Sequence, residues 1–507
     1  MRKYLLAGAA MFGATMAVQG PAYAQAPAPA PAPVLAAPPL GTLITPNFGK
    51  SANDNNNYQA VAIPGAVINP TPGSMVIRLN GKIWSEVGVE GSTGDQAGLN
   101  NGDKLAPYSM DTYLRLYPGV SGMATNGLRW GAQAEIRENF QGQGFIANNS
   151  TTSITGTNAQ NTSSTTGTSG LTCAQTLYVR RAFVWVAQDQ VGIFRLGQGD
   201  GPTGIFDNGI TTFQNVGAGL WNGDAPGFTN GNSQPTFPWF SQQGAEYGFN
   251  KAVYLSPQFF GIDIGASFAP NNGNGGGTYN CGSAATIGCP LLSSSNQVMV
   301  SSAGIITPTD NFRERNMGQL GARYQGVVGP VSIYTWGAWI GANHVNYTGP
   351  VLTPATVGVP GSKYNGQVSN VSAGFVGAAF TIAGFQFGGA WQGGHYNNIM
   401  APAPTGAPTA QAYLVGFAYT NGPFTIGGSW YGFDTQGAPQ LTGISQRHEN
   451  AWGIGGNWQI TPGLQAYSEW IYGTNHQGDF NFVTGSVGSA NNNAKSQAFV
   501  VGLLVGW

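Results

Sequence analysis

Charge is the first thing in short supply. Lys, Arg, Asp and Glu make up 8% of the 507 residues, and 19 basic side chains are nearly cancelled by 20 acidic ones. Such a balance leaves no electrostatic footprint for a nucleic-acid partner. Long apolar runs are also missing: after the N-terminal stretch Tyr4–Val18, no segment has the roughly 18 consecutive apolar residues of a membrane helix. Cysteine occurs three times, as Cys173, Cys281 and Cys289. In an oxidising compartment Cys281 and Cys289 would close the short CGSAATIGC loop and leave Cys173 over, and free or otherwise paired thiols satisfy the odd count equally well. His344, His395, His448 and His476 fall singly, without metal-ligand spacing, and no G-x-S-x-G elbow accompanies them. They read as surface residues, so the expectation is no enzyme, no metal and no cofactor. No repeat of fixed period marks a solenoid.

The N-terminus has Arg2 and Lys3, the apolar run, and Ala22-Tyr23-Ala24 before Gln25, the pattern of a cleavable secretory signal over residues 1–24. Removing Arg2 and Lys3 from the 19 basic residues leaves 17 against 20 acidic ones, a net charge of about −3. Residues 25–74 show no periodicity: APAPAPAPVLAAPPL and the Asn/Gly-rich stretch after it predict a semi-rigid periplasmic extension. Thereafter 79 glycines and 12% aromatics favour strands and turns. Low charge without a spanning helix leaves soluble β-proteins and transmembrane barrels.

Period-2 alternation starts at Met75. Ile77, Leu79, Ile83 and Val87 share one face, and Arg78, Asn80, Lys82 and Glu86 the other. Residues 127–140 repeat it, with Trp130, Ala132 and Ile136 against Arg129, Glu135 and Arg137. The final SQAFVVGLLVGW alternates to Trp507. Two faces this different separate lipid from water. Continued along the chain, the pattern predicts sixteen strands, near 75–90, 110–119, 127–140, 176–187, 190–198, 245–256, 260–269, 316–328, 330–342, 368–382, 384–396, 411–421, 423–434, 448–461, 463–474 and 496–507. Long Ser/Thr/Asn/Gly connections alternate with tight turns such as Gly329-Pro330 and Thr461-Pro462-Gly463. That asymmetry belongs to transmembrane barrels, with tight turns on the periplasmic side. The expected fold is therefore all-β: an antiparallel transmembrane β-barrel over 75–507 in a Gram-negative outer membrane, closed because lipid satisfies no open edge. The connection 199–244 is far longer than two neighbouring strands need, and its expected role is to fold into the lumen and narrow it.

RRAFVWVAQDQVGIFRLGQ resembles a strand–turn–strand of the general (non-specific) porin family, trimeric outer-membrane diffusion channels. Arg180 and Arg195 match two of that family's arginines, and Gln198 stands where many members keep a third. FNKAVYLSPQFFGIDIGASF is similar to the family's Tyr-x-Ser-Pro turn, and Trp507 replaces the more usual terminal Phe. The resemblance implies passive diffusion of small hydrophilic solutes and ions through a homotrimer held in outer-membrane lipid and lipopolysaccharide. The alternative is a solute-specific sugar or anion channel.

Selectivity in such a pore follows from width and lining charge. Inward parity selects Arg78, Arg115, Arg129, Arg180, Arg195 and Arg323. Nine of the 17 remaining basic residues lie between Arg78 and Arg195. The long connection carries Asp200, Asp207 and Asp224. Folded inward, as the family implies, these carboxylates would face the arginine wall and set up a transverse field. Glu138 and Arg181 break the parity and are expected to pair with each other or across a subunit contact, with snorkelling to headgroups as the alternative. Trp84, Trp130, Trp221, Trp391, Trp430, Tyr431, Trp452, Trp470 and Tyr472 are expected in interfacial girdles, with a lumen row that stacks on sugars as the alternative.

Overall fold

The computed structural model describes residues 70–93, 107–138, 177–207, 235–236, 238–239, 250–271, 299–300, 306–307, 314–344, 369–397, 400, 402–403, 405–437, 445–483 and 486–507. The expected signal, the extension up to residue 69, the three cysteines, Trp221 and Asp224 lie outside the described residues.

The strands are β1 (Met75–Ser92), β2 (Tyr108–Met123), β3 (Arg129–Glu138), β4 (Leu177–Gln188), β5 (Gly192–Gln198), β6 (Asn250–Leu255), β7 (Ile262–Asn271), β8 (Met299–Val300), β9 (Ile306–Thr307) and β10 (Glu314–Val328). They continue as β11 (Val331–His344), β12 (Val371–Ile382), β13 (Phe385–His395), β14 (Ala410–Asn421), β15 (Phe424–Thr435), β16 (Arg447–Thr461), β17 (Leu464–Gln477), β18 (Phe480–Asn481), β19 (Ser486–Val487) and β20 (Asn493–Gly506). One short helix, α1 (Pro202–Phe206), follows β5. β1–β7, β10–β17 and β20 close a single barrel, while β8–β9 and β18–β19 form separate two-stranded pairs. The sixteen barrel strands are the expected sixteen, including the Gly/Ala-rich pair β12 and β13.

Closure is antiparallel, with β1 and β20 in register from Lys82↔Gly506 to Ser92↔Ser496. Trp507 N donates to Gly81 O and Gly81 N to Trp507 O, both at 3.0 Å. No helix among the described residues is long and apolar enough to cross a membrane, so the crossing falls to the strands. The alternation explains how: Ile83, Val87, Val184, Val186, Val415 and Ile454 are exposed on the outward face, a surface suited to lipid and poorly to water.

The inner face departs from the expectation of uniform polarity. Val371, Phe375, Leu414, Tyr431 and Phe433 point inward and are buried in one cluster with Phe206 and Trp239 of the long β5–β6 connection. There the barrel interior is a packed core, because the described ends of that connection rest on it. Trp84 and Tyr431, expected in girdles, are inward and buried, whereas Trp130, Trp391 and Trp452 do stand exposed on the outside.

Candidate functional site

Two adjacent residues of β4 decide the charged side of the lumen. The β3–β4 register runs Glu135↔Arg181 and then Ile136↔Val179, leaving Arg180 as the extra residue of a bulge. A bulge lets neighbours that would alternate share one face. Arg180 and Arg181 are therefore both buried inside, while Val179 and Val184 are exposed outside. Arg180 is inward as expected, by way of the bulge, and Arg181, expected to break the parity, is inward as well by alternation with Phe183 and Trp185. Gln198 Nε2 donates to Arg180 O at 2.8 Å, so the residue that replaces a family arginine occupies the bulge carbonyl.

The side chain of Glu138, the partner expected for Arg181, lies outside the described residues; Arg181 itself is buried on the inside. It bonds Glu135 and grips Asp200 with both ends of its guanidinium, Nε–Oδ2 at 2.7 Å and Nη2–Oδ1 at 3.1 Å. Glu135 also takes Arg137 and, at 3.2 Å, Arg180 Nη1. Isolated buried carboxylates cost several kcal/mol, and three guanidiniums around one of them offset that cost. The same row continues across the wall, because Lys82 is in register with Arg115 and Arg115 with Arg137. The Arg115 guanidinium lies 4.7 Å from the Trp84 ring centre and Lys82 Nζ 4.4 Å from it. Such cation–π contacts hold a cation beside an aromatic face.

The other expected residues fall in different places. Arg195, on β5, lies 4.9 Å over the Phe183 ring, and Arg78 Nη1 donates to Ser121 Oγ at 2.8 Å nearer the short-turn end. Arg129 stands apart at the short-turn rim, 2.5 Å from Asp189 in the β4–β5 turn. Arg323 belongs to another wall, where β10 meets β7, and is held at 2.8 Å by Asp263. Asp200 sits on the arginine wall itself instead of across from it. Asp207, buried just after α1, is on the β10–β11 side. Parity alone missed Lys82, Glu135, Arg137 and Arg181 as site residues, although Lys82, Glu135 and Arg137 lay on the polar faces.

The β5–β6 connection enters the barrel as far as the described residues follow it. α1 packs on β7, β10 and β11, and Tyr334 OH of β11 donates to Phe206 O. Gly265 and Gly321 make the seat: a Cβ on Gly321 would lie 3.1 Å from Phe206 and 3.2 Å from Pro202. A second contact lies on β13, β15 and β16. Thr236 donates to Glu449 from N at 2.7 Å and from Oγ1 at 3.2 Å, Gln392 Nε2 to Pro238 O at 2.8 Å, and Tyr431 OH to Thr236 O at 3.1 Å.

Buried charge is distributed unevenly around this lumen. Among the described residues, the buried Lys and Arg side chains Lys82, Arg115, Arg137, Arg180, Arg181, Arg195 and Lys251 are on β1–β6, and Arg323 and Arg447 are elsewhere. The buried carboxylates lean the other way, with Glu86, Glu135 and Asp200 beside the cations and Asp207, Asp263, Glu314, Glu449 and Glu469 beyond them. The arrangement can orient a polar solute.

Among solved structures, the chain is similar to the trimer form of OmpT from Vibrio cholerae, with 10% identity, 86% of this chain and 100% of that one covered, and a TM-score of 0.44. It is similar to an anion-selective porin from Comamonas acidovorans at 14% identity, 86% and 100% coverage and a TM-score of 0.46. A triple mutant of the Rhodopseudomonas blastica porin gives 13%, 85% and 100%, and 0.41. No curated protein sequence matches significantly. A family model described as Gram-negative porin matches residues 84–478, well over half of the chain, and the protein belongs to that family.

Proposed function

We propose that this outer-membrane channel passes small hydrophilic solutes and ions by passive diffusion, past a constriction between the β5–β6 connection and the cationic wall of β1–β6. The observation that carries the reading is the concentration of seven buried cations on six consecutive strands. Solutes cross with their anionic ends toward β2–β5, because a fixed transverse field rewards that orientation and penalises apolar solutes that cannot replace ordered water. Arg195 of β5 and Lys251 of β6 are the buried cations we assign to this role beside the β5–β6 connection. The channel reading also carries the proposal that the chain does no covalent chemistry.

We assign the subunit contact of a homotrimer, the assembly the general porin resemblance implies, to the aliphatic outer face that includes Ile83, Val87, Val184, Val186 and Val505. The remaining outer face meets membrane lipid and lipopolysaccharide.

The test is reconstitution into planar lipid bilayers with a salt gradient. Conductance steps in triplets are expected, and Arg195→Ser and Lys251→Gln should each move the reversal potential toward cations. Unmoved reversal potentials in both variants would sink the constriction as drawn. Block of the current by one solute at low concentration would favour the solute-specific alternative.

A further inference from the structure

Two of the four histidines, 28 positions apart in the chain, stand side by side. On the outward face near the long-connection end, one rung crosses four strands: Asp434 of β15 is in register with His448 of β16, His448 with His476 of β17, and His476 with Asn493 of β20. Arg447, Glu449 and Gln477 on these strands are buried toward the lumen, whereas His448 and Asp434 keep 49% and 30% of their side-chain surface exposed. The neighbouring outward rung is Asn450, Thr474 and Lys495, with Lys495 the ammonium closest in register.

The hydrogen bonds give both rings the same tautomer, with Asp434 and Asn493 on the two outer strands of the rung as partners. His448 Nδ1 lies 2.6 Å from Asp434 Oδ1, and His476 Nδ1 lies 2.8 Å from Asn493 Oδ1. A carboxylate oxygen and an amide oxygen both accept, so each imidazole donates from Nδ1–H. In the neutral ring the Nε2 lone pair is then the free one. Side chains directly opposite each other on antiparallel strands have Cβ atoms about 4.5–5.5 Å apart, a separation from which two imidazoles can reach one ion at about 2.0–2.1 Å.

We propose that His448 and His476 form a two-histidine site for a divalent first-row transition cation on the outer rim, with Asp434 and Asn493 as positioning residues. Imidazole selects zinc, copper or nickel over calcium and magnesium, which want oxygen. Asp434 behind His448 is the carboxylate–histidine–metal arrangement that fixes ring orientation and raises ligand basicity. Among the described residues no group of three or more His, Cys, Asp or Glu is set to hold a metal ion. Here two rings are the ligands, Asp434 stays on the ring it orients, and water completes the shell. Any proton on Nε2 leaves when the ion binds.

Full-length protein without a histidine tag, in detergent micelles and metal-free buffer, is titrated with zinc by calorimetry. One ion per chain is expected. His448→Gln and His476→Gln should each weaken binding at least ~10-fold and Asp434→Asn by about 10-fold, the scale of a lost outer-shell partner, while His395→Gln leaves it intact. Copper bound to the parent should show two imidazole nitrogens by electron paramagnetic resonance and one in either single variant. Heat-modifiable gel mobility checks that each variant is folded. Zinc uptake unchanged in the His448→Gln, His476→Gln double variant, no uptake by the parent, or a copper spectrum indifferent to both substitutions overturns the site.

Discussion

Strands β1–β6 and strands β12–β15 are made from the same alternation and use it differently. The first wall turns seven buried cations to the inside, and the second turns none, presenting Phe375, Gln392, Leu414, Tyr431 and Phe433 instead. Outside, the first is largely aliphatic, whereas the second carries aromatic pairs: Phe385 and Tyr419 at 4.3 Å, Tyr413 and Trp430 at 5.5 Å, and Trp430 with Trp452 of β16 at 5.8 Å between ring centres. The difference teaches how one lumen serves two purposes. A charged wall must keep counter-charges and water close, because dry charges are costly. A neutral wall can be dry, so the β5–β6 connection docks there through Gln392 and Tyr431. Rings suit the membrane interface, and an aliphatic face suits contact with another subunit.

The largest effect expected from breaking this contrast is at Arg181. Arg181→Met strips Glu135 and Asp200 of a shared partner, and removing one side of a buried pair costs about 3–5 kcal/mol. The unfolding midpoint in urea should fall, and combining the change with Glu135→Gln should restore part of it. An unchanged midpoint would mean that the cluster is solvated and contributes little. Next comes the seat of α1. Gly321→Val drives a branched side chain into Phe206 and Pro202, at about 1–3 kcal/mol for overpacking. Single-channel conductance should change with it, whereas Ala322→Val, one residue on and facing outward, should leave conductance alone.

Smaller effects sharpen the outer-face half. Trp452→Ala removes the Trp430 contact, worth about 0.5–1.5 kcal/mol beyond area burial; thermal unfolding in detergent would register the loss, and Val184→Ala should be milder. If the two cost the same, the aromatic wall has no special part in stability. Arg129→Ser should do least, because its partner Asp189 is 69% exposed and pairs of that kind are worth about 0–1 kcal/mol. A shifted reversal potential in Arg129→Ser would put that residue back in the constriction.

Much of this was legible in the chain. Alternation and turn residues act over a few positions, so β1 was expected at 75–90 and spans Met75–Ser92, and β16 was expected at 448–461 and spans Arg447–Thr461. Arg115 and Arg195 were legible as inward residues for the same reason, while Arg180 is inward as expected but by way of the bulge. The pairing of Arg181 was not, because a single extra residue in β4 is invisible until β3 lies beside it. Lys82 and Arg137 were legible as polar-face residues, but their alignment with Arg115 depends on two registers at once. His448 and His476 looked solitary because strand pairing, not chain spacing, makes them neighbours.

By itself the sequence determined the class, the number of barrel strands and which side chains of most of them turn outward, since these follow from a period of two and from punctuation by Gly, Pro and Asn. Only the tertiary structure decided which charges meet, where the β5–β6 connection docks and which inner surfaces are packed. Those depend on registers between strands and on where the described ends of that connection touch the inner wall, and one residue of slip or bulge rearranges every partner without altering the local pattern.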